Sequence, residues 1–278
     1  MLRFLTILVL LPALCAGTAY AADLTVFLTS NLEARFSLSG DDEPMLALAS
    51  EIVRNKPPDG LYIDLGNAFY PGALSRYSYG AVMSEFFDAA SCDAALISSR
   101  DMKIGVDSLT FLQSESDRKT RFLSASVIKN GASLFPGGFV RRLGREKIAF
   151  IALSSRRMVF DLAEESLYNV SLLPPEKAYQ AALGSLGGDI NRVVLLSGLS
   201  MEENMLFLNN HPEICAVLAG GDNRGDLFEA AVPRIERNDG RSIFCAVERG
   251  YYTLTLREGE VPSGFVHHPV TKSEVNPA

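Results

Sequence analysis

Short apolar runs alternate with segments of helical periodicity along most of the chain. The β-rich runs predict buried strands at residues 24–29, 61–64, 94–97, 121–127, 147–153, 193–196, 214–218, 242–247 and 251–256. Apolar residues spaced three and four apart predict helices at residues 43–55, 80–90, 106–113, 174–186 and 201–209. The first two-thirds of the chain alternate strand and helix, whereas the end is rich in strands. The pattern therefore predicts one α/β domain with a mixed sheet.

Two segments lie outside this alternation. Residues 132–143, with Gly137-Gly138 placed at a turn, predict an outlying hairpin. Residues 262–278 have no periodicity and predict a loose C-terminal tail. No linker or repeat divides the part in between, so we expect a single domain over residues 22–261.

The first 21 residues have the three parts of a secretory signal peptide. Arg3 supplies the positive charge, residues 4–14 are apolar, and Ala19-Tyr20-Ala21 matches an A-x-A cleavage site. The apolar run is shorter than the ~20 residues of a transmembrane helix, and no later stretch is long and apolar enough. We therefore expect residues 1–21 to be removed and the protein to be exported, either periplasmic or secreted, without a membrane span.

The net charge and the cysteine content argue against two kinds of binding site. The net charge is −7, the pI is near 5.1, and no Lys/Arg run occurs, which argues against nucleic acid as a partner. None of the cysteines lies in a CxxC pair, which excludes a zinc site of that type. Cys215 and Cys245 lie in strand-like runs, so they form either a disulfide, as export allows, or two buried free thiols.

Polar residues gather after two neighbouring predicted strands. Gly66 and Asn67 follow residues 61–64, while Ser98, Ser99, Arg100 and Asp101 follow residues 94–97. Ligands bind at the carboxyl ends of the strands in open α/β sheets. The sequence therefore predicts a site, if the protein has one, that involves these loops.

Several motifs at the strand ends occur in a recognisable order. They are TSNLEARF (29–36), DLGNAF (64–69), CDA (92–94) with SSRDMKIG (98–105), FLSAS (122–126), SGLS (197–200) and GGDNR (220–224). They resemble, in order and spacing, TNDxHGRF, DxGDxF, YDA…GNHEFDYG, FLSAN, SHLG and GGHSH of the calcineurin-like metallophosphatases, 5′-nucleotidase branch. The resemblance implies a metallophosphatase-like α/β fold, with mixed β-sheet layers flanked by helices in a single domain.

The resemblance also implies where metal ions would bind. Enzymes of this kind use two metal ions ~3.5–4 Å apart to clamp a phosphoryl group, held by Asp, Asn and His. The matching positions here differ from that pattern, and they are Asn31, Glu33, Asn67, Ser99, Arg100, Gly198, Asp222 and Arg224. Guanidinium groups have no lone pair to give to a metal. The comparison therefore predicts loss of the dinuclear centre, with no catalytic residue and no cofactor.

Four interpretations of the altered positions stay open, the last of which is that these loops are solvated and have no role. In the first, the charged side chains at these positions form a salt-bridge network that fills the former metal site. Such a network need not add stability. Alternatively, Arg35, Arg100 and Arg224 bind an anion. In the third, Glu33 and Asp222, with the amide oxygens of Asn31 and Asn67, hold a single divalent cation.

These interpretations lead to different functions. The main hypothesis is an exported 5′-nucleotidase-like pseudoenzyme that binds an unknown protein partner or a small anionic ligand. The alternative is a phosphoesterase with an altered, mononuclear or metal-poor site. A third is a structural subunit that uses an outer face to join an exported complex.

Four tyrosines, Tyr77, Tyr79, Tyr251 and Tyr252, form either a surface aromatic patch or part of the core.

Overall fold

The protein is described from a computed structural model, which covers residues 23–36, 43–115, 120–155, 169–220, 234–246 and 249–270. The predicted signal peptide lies outside these residues. So do two of the predicted site residues, Asp222 and Arg224.

Strands and helices alternate through the first half of the chain. The elements are β1 (Asp23–Thr29), α1 (Glu43–Asn55), β2 (Leu61–Asp64), α2 (Ala73–Tyr77), α3 (Ala81–Ala89), β3 (Ala94–Leu96), a 3₁₀ turn (Asp101–Ile104), α4 (Val106–Ser114) and β4 (Arg121–Leu123). Helix α1 has the bounds that its apolar spacing predicts. Helices α3 and α4 begin or end one residue away from the predicted bounds.

The second half is richer in strands. It contains β5 (Val127–Lys129), β6 (Ala132–Ser133), β7 (Gly138–Leu143), β8 (Glu146–Leu153), β9 (Val170–Leu172), α5 (Pro175–Ser185), β10 (Arg192–Ser197), α6 (Met201–Asn210), β11 (Ile214–Ala219), β12 (Arg234–Glu236), β13 (Ser242–Cys245), β14 (Tyr251–Arg257) and β15 (Ser263–His268). Strands β9, β12 and β15 have no counterpart among the strands that the sequence predicts.

The strands form two six-stranded sheets and one three-stranded sheet. Their orders are β15-β14-β1-β2-β3-β4, β12-β13-β11-β10-β8-β7 and β6-β5-β9. Strands β1 to β4 are parallel, as are β8, β10, β11 and β13. Each large sheet therefore presents several strand carboxyl ends along one edge, which is where loops can form a site.

The large sheets pack face to face between two layers of helices. Val26 and Ile63 of the first sheet share an apolar cluster with Phe150 and Leu218 of the second. Helices α1, α3 and α4 cover the outer face of the first sheet, and α5 and α6 cover the second. The predicted α/β class with sheet layers flanked by helices is confirmed. None of the helices in the described ranges is long and apolar enough to cross a membrane.

One predicted turn is instead the start of a strand. Gly138 begins β7, which pairs antiparallel with β8 and extends the second large sheet. A Cβ atom at Gly138 would overlap the carbonyl oxygen of Phe150. The glycine permits a close backbone approach there, so the outlying hairpin expected over residues 132–143 is replaced by a small β5–β6 hairpin and an edge strand.

The expected loose tail contains a strand as well. Residues 263–268 form β15, which pairs antiparallel with β14 through an irregular register. Phe265 stacks on Tyr252 with ring centroids 4.9 Å apart. An edge strand with a shifted register has no clean alternation of apolar and polar positions, which explains why no periodic pattern marks it in the sequence. Residues 271–278 lie outside the described part.

Cys215 and Cys245 are free and buried. They point to opposite faces of the second large sheet, since Cys215 packs between the two sheets and Cys245 packs beneath α5 and α6. Side chains on opposite faces of a sheet cannot form a disulfide without moving the backbone. Burial raises the pKa of each thiol to about 11, and of the two alternatives the free thiols are observed.

Candidate functional site

The loops after β1, β2 and β3 lie against one another. The backbone N–H of Asn31 donates to the Gly66 carbonyl at 2.9 Å, and that of Glu33 donates to the Asn67 carbonyl at 2.8 Å. The N–H of Asn67 donates in turn to Asp101 Oδ2 at 3.0 Å. The structure thus brings together the polar residues that the sequence places at these strand ends.

Two buried asparagines lie at the centre of these loops. Asn67 Nδ2 donates to Asn31 Oδ1 at 3.0 Å, and the Ser98 hydroxyl donates to Asn67 Oδ1 at 2.6 Å. Both asparagines have left-handed backbones, with φ of 56° and 57°, a conformation that Asn adopts more readily than most residues. Each amide oxygen therefore accepts a hydrogen bond from within the protein.

Glu33 lies between two arginines, and we call these three residues the Glu33–arginine cluster. Arg35 Nε lies 3.1 Å from Glu33 Oε2, and its Nη2 contacts the same oxygen. Arg100 Nη1 lies 3.5 Å from Glu33 Oε1. The Glu33 side chain is 14% exposed, against 35% for Arg35 and 32% for Arg100. Both described arginines of the expected anion site are thus paired with a carboxylate of the same chain.

The carboxylate of Asp101 joins the loops after β2 and β3. Its carboxylate accepts hydrogen bonds from the backbone N–H groups of Phe69 at 2.8 Å and of Asn67 and Ser98 at 3.0 Å each. Burial raises its pKa to about 6, against the lowering effect of these hydrogen bonds. Because Asp101 is fully buried, it fixes the loop positions and does not face a ligand.

Asp64, the last residue of β2, makes hydrogen bonds to β1 and to the loop after β2. Its Oδ2 accepts a hydrogen bond of 2.6 Å from the Thr29 hydroxyl, and its Oδ1 accepts one of 2.9 Å from the N–H of Gly66. Burial raises its pKa to about 8. Asp93 accepts from the N–H of Tyr62 at 2.8 Å. Both aspartates that keep the motif pattern therefore bind nearby backbone groups.

Two glycines at strand ends of the second large sheet lie close to residues of the first large sheet and its loops. A Cβ atom at Gly220, at the end of β11, would overlap Leu65 and lie 2.7 Å from Ser30 Oγ. At Gly198, after β10, it would lie 3.7 Å from Leu96 Cδ2 and from the nitrogen of Ser155. Ser99 is fully buried beside Arg100. The predicted positions that the structure describes thus all lie at one end of the two sheets.

A row of buried serines lies at this end, two from the FLSAS motif and one, Ser154, that the sequence analysis does not name. The Ser154 hydroxyl donates to the Ile97 carbonyl at 2.6 Å and lies 2.7 Å from Ser124 Oγ. Ser126 Oγ accepts from the N–H of Ser154 at 3.0 Å. These side chains join the ends of β3, β4 and β8. The available signal is that Ser124 and Ser154 directly follow apolar strands.

The four tyrosines left open by the sequence divide into two pairs. Tyr77, which ends α2, and Tyr79, which precedes α3, are 79% and 67% exposed. Tyr251 and Tyr252 of β14 are buried. The first pair forms part of a surface and the second pair belongs to the core.

The histidines make their contacts in other parts of the fold. His211, which ends α6, lies 3.0 Å from Glu176 Oε2 and 3.2 Å from Glu213 Oε1. His267 and His268 belong to edge strand β15, where they contact the Arg249 carbonyl at 2.8 Å and the Thr253 hydroxyl at 2.9 Å. Within the described ranges, no three His, Cys, Asp or Glu side chains form a group suited to a metal ion.

Solved structures of other proteins have a similar arrangement of sheets and helices. The 5′-nucleotidase precursor of Thermus thermophilus superposes with a TM-score of 0.64 at 18% identity, over 88% of this chain and 53% of its own. The NAD nucleotidase of Haemophilus influenzae gives 0.65 at 15%, over 90% and 50%. A calcineurin-like phosphoesterase of Bacillus subtilis gives 0.62 at 14%, over 85% of each chain.

The chain has the metallophosphatase fold. It spans about half the length of the two nucleotidases. No protein-family model matches the sequence, and no curated protein matches it. The similarity of this chain to known proteins is therefore a similarity of fold, observed in the solved structures.

Proposed function

We propose that this chain is a metallophosphatase-fold protein that has lost the dinuclear metal centre and phosphoester hydrolysis, and that it acts by binding. The observation that supports this most directly is the position of the Glu33 carboxylate between Arg35 and Arg100. Two guanidinium charges at the strand ends repel a metal cation. They also neutralise the carboxylate that would otherwise attract one.

The donor groups around this cluster do not fit two metal ions. The resemblance places a bridging carboxylate at Asn67, where the side chain is a neutral amide. The amide oxygens of Asn31 and Asn67 already accept hydrogen bonds inside the protein. Metal binding would break those bonds in a buried region, which costs free energy for each group left unpaired.

We further propose that the protein is exported, on the basis of the signal-peptide pattern in residues 1–21. Its ligand is then a protein partner or a small anion outside the cytoplasm. The arginines at the strand ends favour a negatively charged group.

Metal content and turnover, measured on one preparation of the mature protein, test the proposal. The protein is loaded with Mn²⁺ or Mg²⁺ and offered 5′-AMP and a chromogenic phosphodiester. We expect about zero metal per chain and hydrolysis at the rate of the buffer alone.

The alternative, a phosphoesterase with a rebuilt mononuclear site, gives the opposite result. Bound metal with turnover that disappears in Glu33→Gln/Asp222→Asn would refute the proposal. Asp59→Asn is the matched control, because it removes a carboxylate charge at an exposed position.

A further inference from the structure

The segment that follows Gly72 carries an exposed arginine and two exposed tyrosines, and both of its ends are anchored to the loops of the Glu33–arginine cluster. The arginine–tyrosine face consists of Arg35, Arg76, Tyr77, Tyr79 and Arg100. Tyr77 and Tyr79 are the two most exposed large hydrophobic side chains of the described residues, and Arg76 is exposed.

Helix α2 connects the two parts of this face. The N–H of Gly72, before α2, donates to the Glu33 carbonyl at 3.0 Å. Gly80, after Tyr79, packs against the turn that follows Arg100, since a Cβ atom there would lie 2.5 Å from Ile104 Cδ1. Both ends of the segment are therefore held against the loops that carry Glu33 and Arg100.

The charge of this face is opposite to that of the whole protein. The chain has a net charge of −7, whereas three arginines and one glutamate make up the charged residues of the face and the cluster. Tyrosine and arginine are enriched at the centres of protein interfaces, where Lys, Glu and Asp are depleted. The composition thus fits a negatively charged protein partner.

The Glu33 side chain shows how a carboxylate is bound here. One oxygen contacts Arg35 and the other faces Arg100. Glu33 and Ala34 both have positive φ, 56° and 47°, a conformation that costs conformational energy for these residue types. The backbone of Glu33 is held by hydrogen bonds to Asn67 and Gly72, so only its side chain has to move for another carboxylate to take its place.

We propose that the arginine–tyrosine face binds an acidic segment of a partner protein, whose carboxylate replaces Glu33 between Arg35 and Arg100. This inference rests on the proposed function, because bound metal ions would compete for the same carboxylate. Tyr77 and Tyr79 supply contact area for the carbon atoms of the segment. A free phosphate ion would not use that area, so a peptide is the better match.

A fluorescein-labelled hexaglutamate peptide tests the inference by fluorescence anisotropy at low and moderate salt. We expect Arg35→Gln/Arg100→Gln to weaken binding about tenfold, and Glu33→Gln to tighten it about tenfold, because the internal competitor is removed. Tyr77→Ser/Tyr79→Ser should weaken binding about threefold. A hexaglutamine peptide should not bind.

The control Arg54→Gln/Arg142→Gln removes the same charge from the end of α1 and from β7. It should leave the affinity unchanged. If it weakens binding as much as Arg35→Gln/Arg100→Gln, the effect is one of net charge, and the inference is wrong. It is also wrong if Glu33→Gln binds no tighter, or if inorganic phosphate binds through these arginines while hexaglutamate does not.

Circular dichroism checks that each variant folds, and Arg35→Lys/Arg100→Lys provides a second test that keeps the charge. We expect it to lose most of the affinity, because Lys lacks the planar fork that matches a carboxylate. Metal-dependent turnover would refute the proposed function. Absent turnover together with absent peptide binding would refute this inference alone.

Discussion

The side-chain amide of Asn67 donates a hydrogen bond of 3.0 Å to the side-chain oxygen of Asn31, across 36 residues of sequence. The two residues stand where the resemblance to metallophosphatases places two metal-binding aspartates. An amide can both donate and accept a hydrogen bond, whereas two carboxylates at this distance repel each other. The pair therefore joins the loops after β1 and β2 directly.

Asn67→Asp tests whether one carboxylate is enough to recover a metal site. We expect no Mn²⁺ binding and a loss of about 2–4 kcal/mol of unfolding free energy, because the new buried charge lies near Asp101 and the bond to Asn31 is lost. Urea unfolding and calorimetric titration with Mn²⁺ measure both effects. Asn130→Asp is the control, since Asn130 is exposed and has a similar φ of 52°. Mn²⁺ binding at full stability would contradict the prediction.

Gly220→Ala should disturb the contact between the second sheet and the loop after β2. The added Cβ would overlap Leu65 and lie 2.8 Å from its carbonyl oxygen, so we expect a loss of about 1–3 kcal/mol. Gly184→Ala, in helix α5 with no atom within 4 Å of the added Cβ, should instead gain about 0.5–1 kcal/mol. Thermal unfolding of the two variants decides the matter, and equal shifts would show that Gly220 has room.

Asp64 should make stability depend on pH. Its folded pKa of about 8 lies above the ordinary value of 3.8, so the folded state holds the proton more tightly. That contribution is complete below the ordinary value and is lost as the pH rises through the folded pKa. The wild type should therefore lose unfolding free energy relative to Asp64→Asn between about pH 4 and about pH 8. Parallel stability profiles of the two proteins across this range would show that Asp64 is not responsible.

Asp101→Asn should loosen the loops after β2 and β3. The carboxylate accepts three backbone N–H groups, and an amide placed there sets one NH₂ group against those donors. We expect a loss of about 1–3 kcal/mol and faster amide exchange at Asn67, Phe69 and Ser98. Asp107→Asn, at a side chain that is 80% exposed, should change neither quantity by a comparable amount. Unchanged exchange at the three amides would assign the bonds a minor role.

Local patterns predicted most of the large elements, because apolar periodicity reflects burial directly. Helix α1 and strand β2 have their predicted bounds. The division into two sheets was not predictable from those patterns, since a strand buried on both faces has the same apolar run in either sheet. Strand β15 was missed because its irregular pairing with β14 leaves no alternation.

At the site, the sequence placed the right loops together but not their contacts. Polar residues after Asp64 and after Leu96 indicated the strand ends, and the motifs indicated Asn31 and Glu33. The sequence left open whether Arg100 binds an external anion or a carboxylate of its own chain, because that depends on the path of the loop after β1. The position of Asp222 and Arg224 relative to this cluster stays a prediction.

The mutual pairing of Asn31 with Asn67, and of Glu33 with Arg35 and Arg100, has an evolutionary consequence under the proposed function. Each of these five side chains is now the partner of another. Restoring a single ancestral residue would leave a neighbour with an unmatched charge or hydrogen bond. A return to catalysis would require several simultaneous substitutions, so loss of the metal centre becomes entrenched once these contacts have formed.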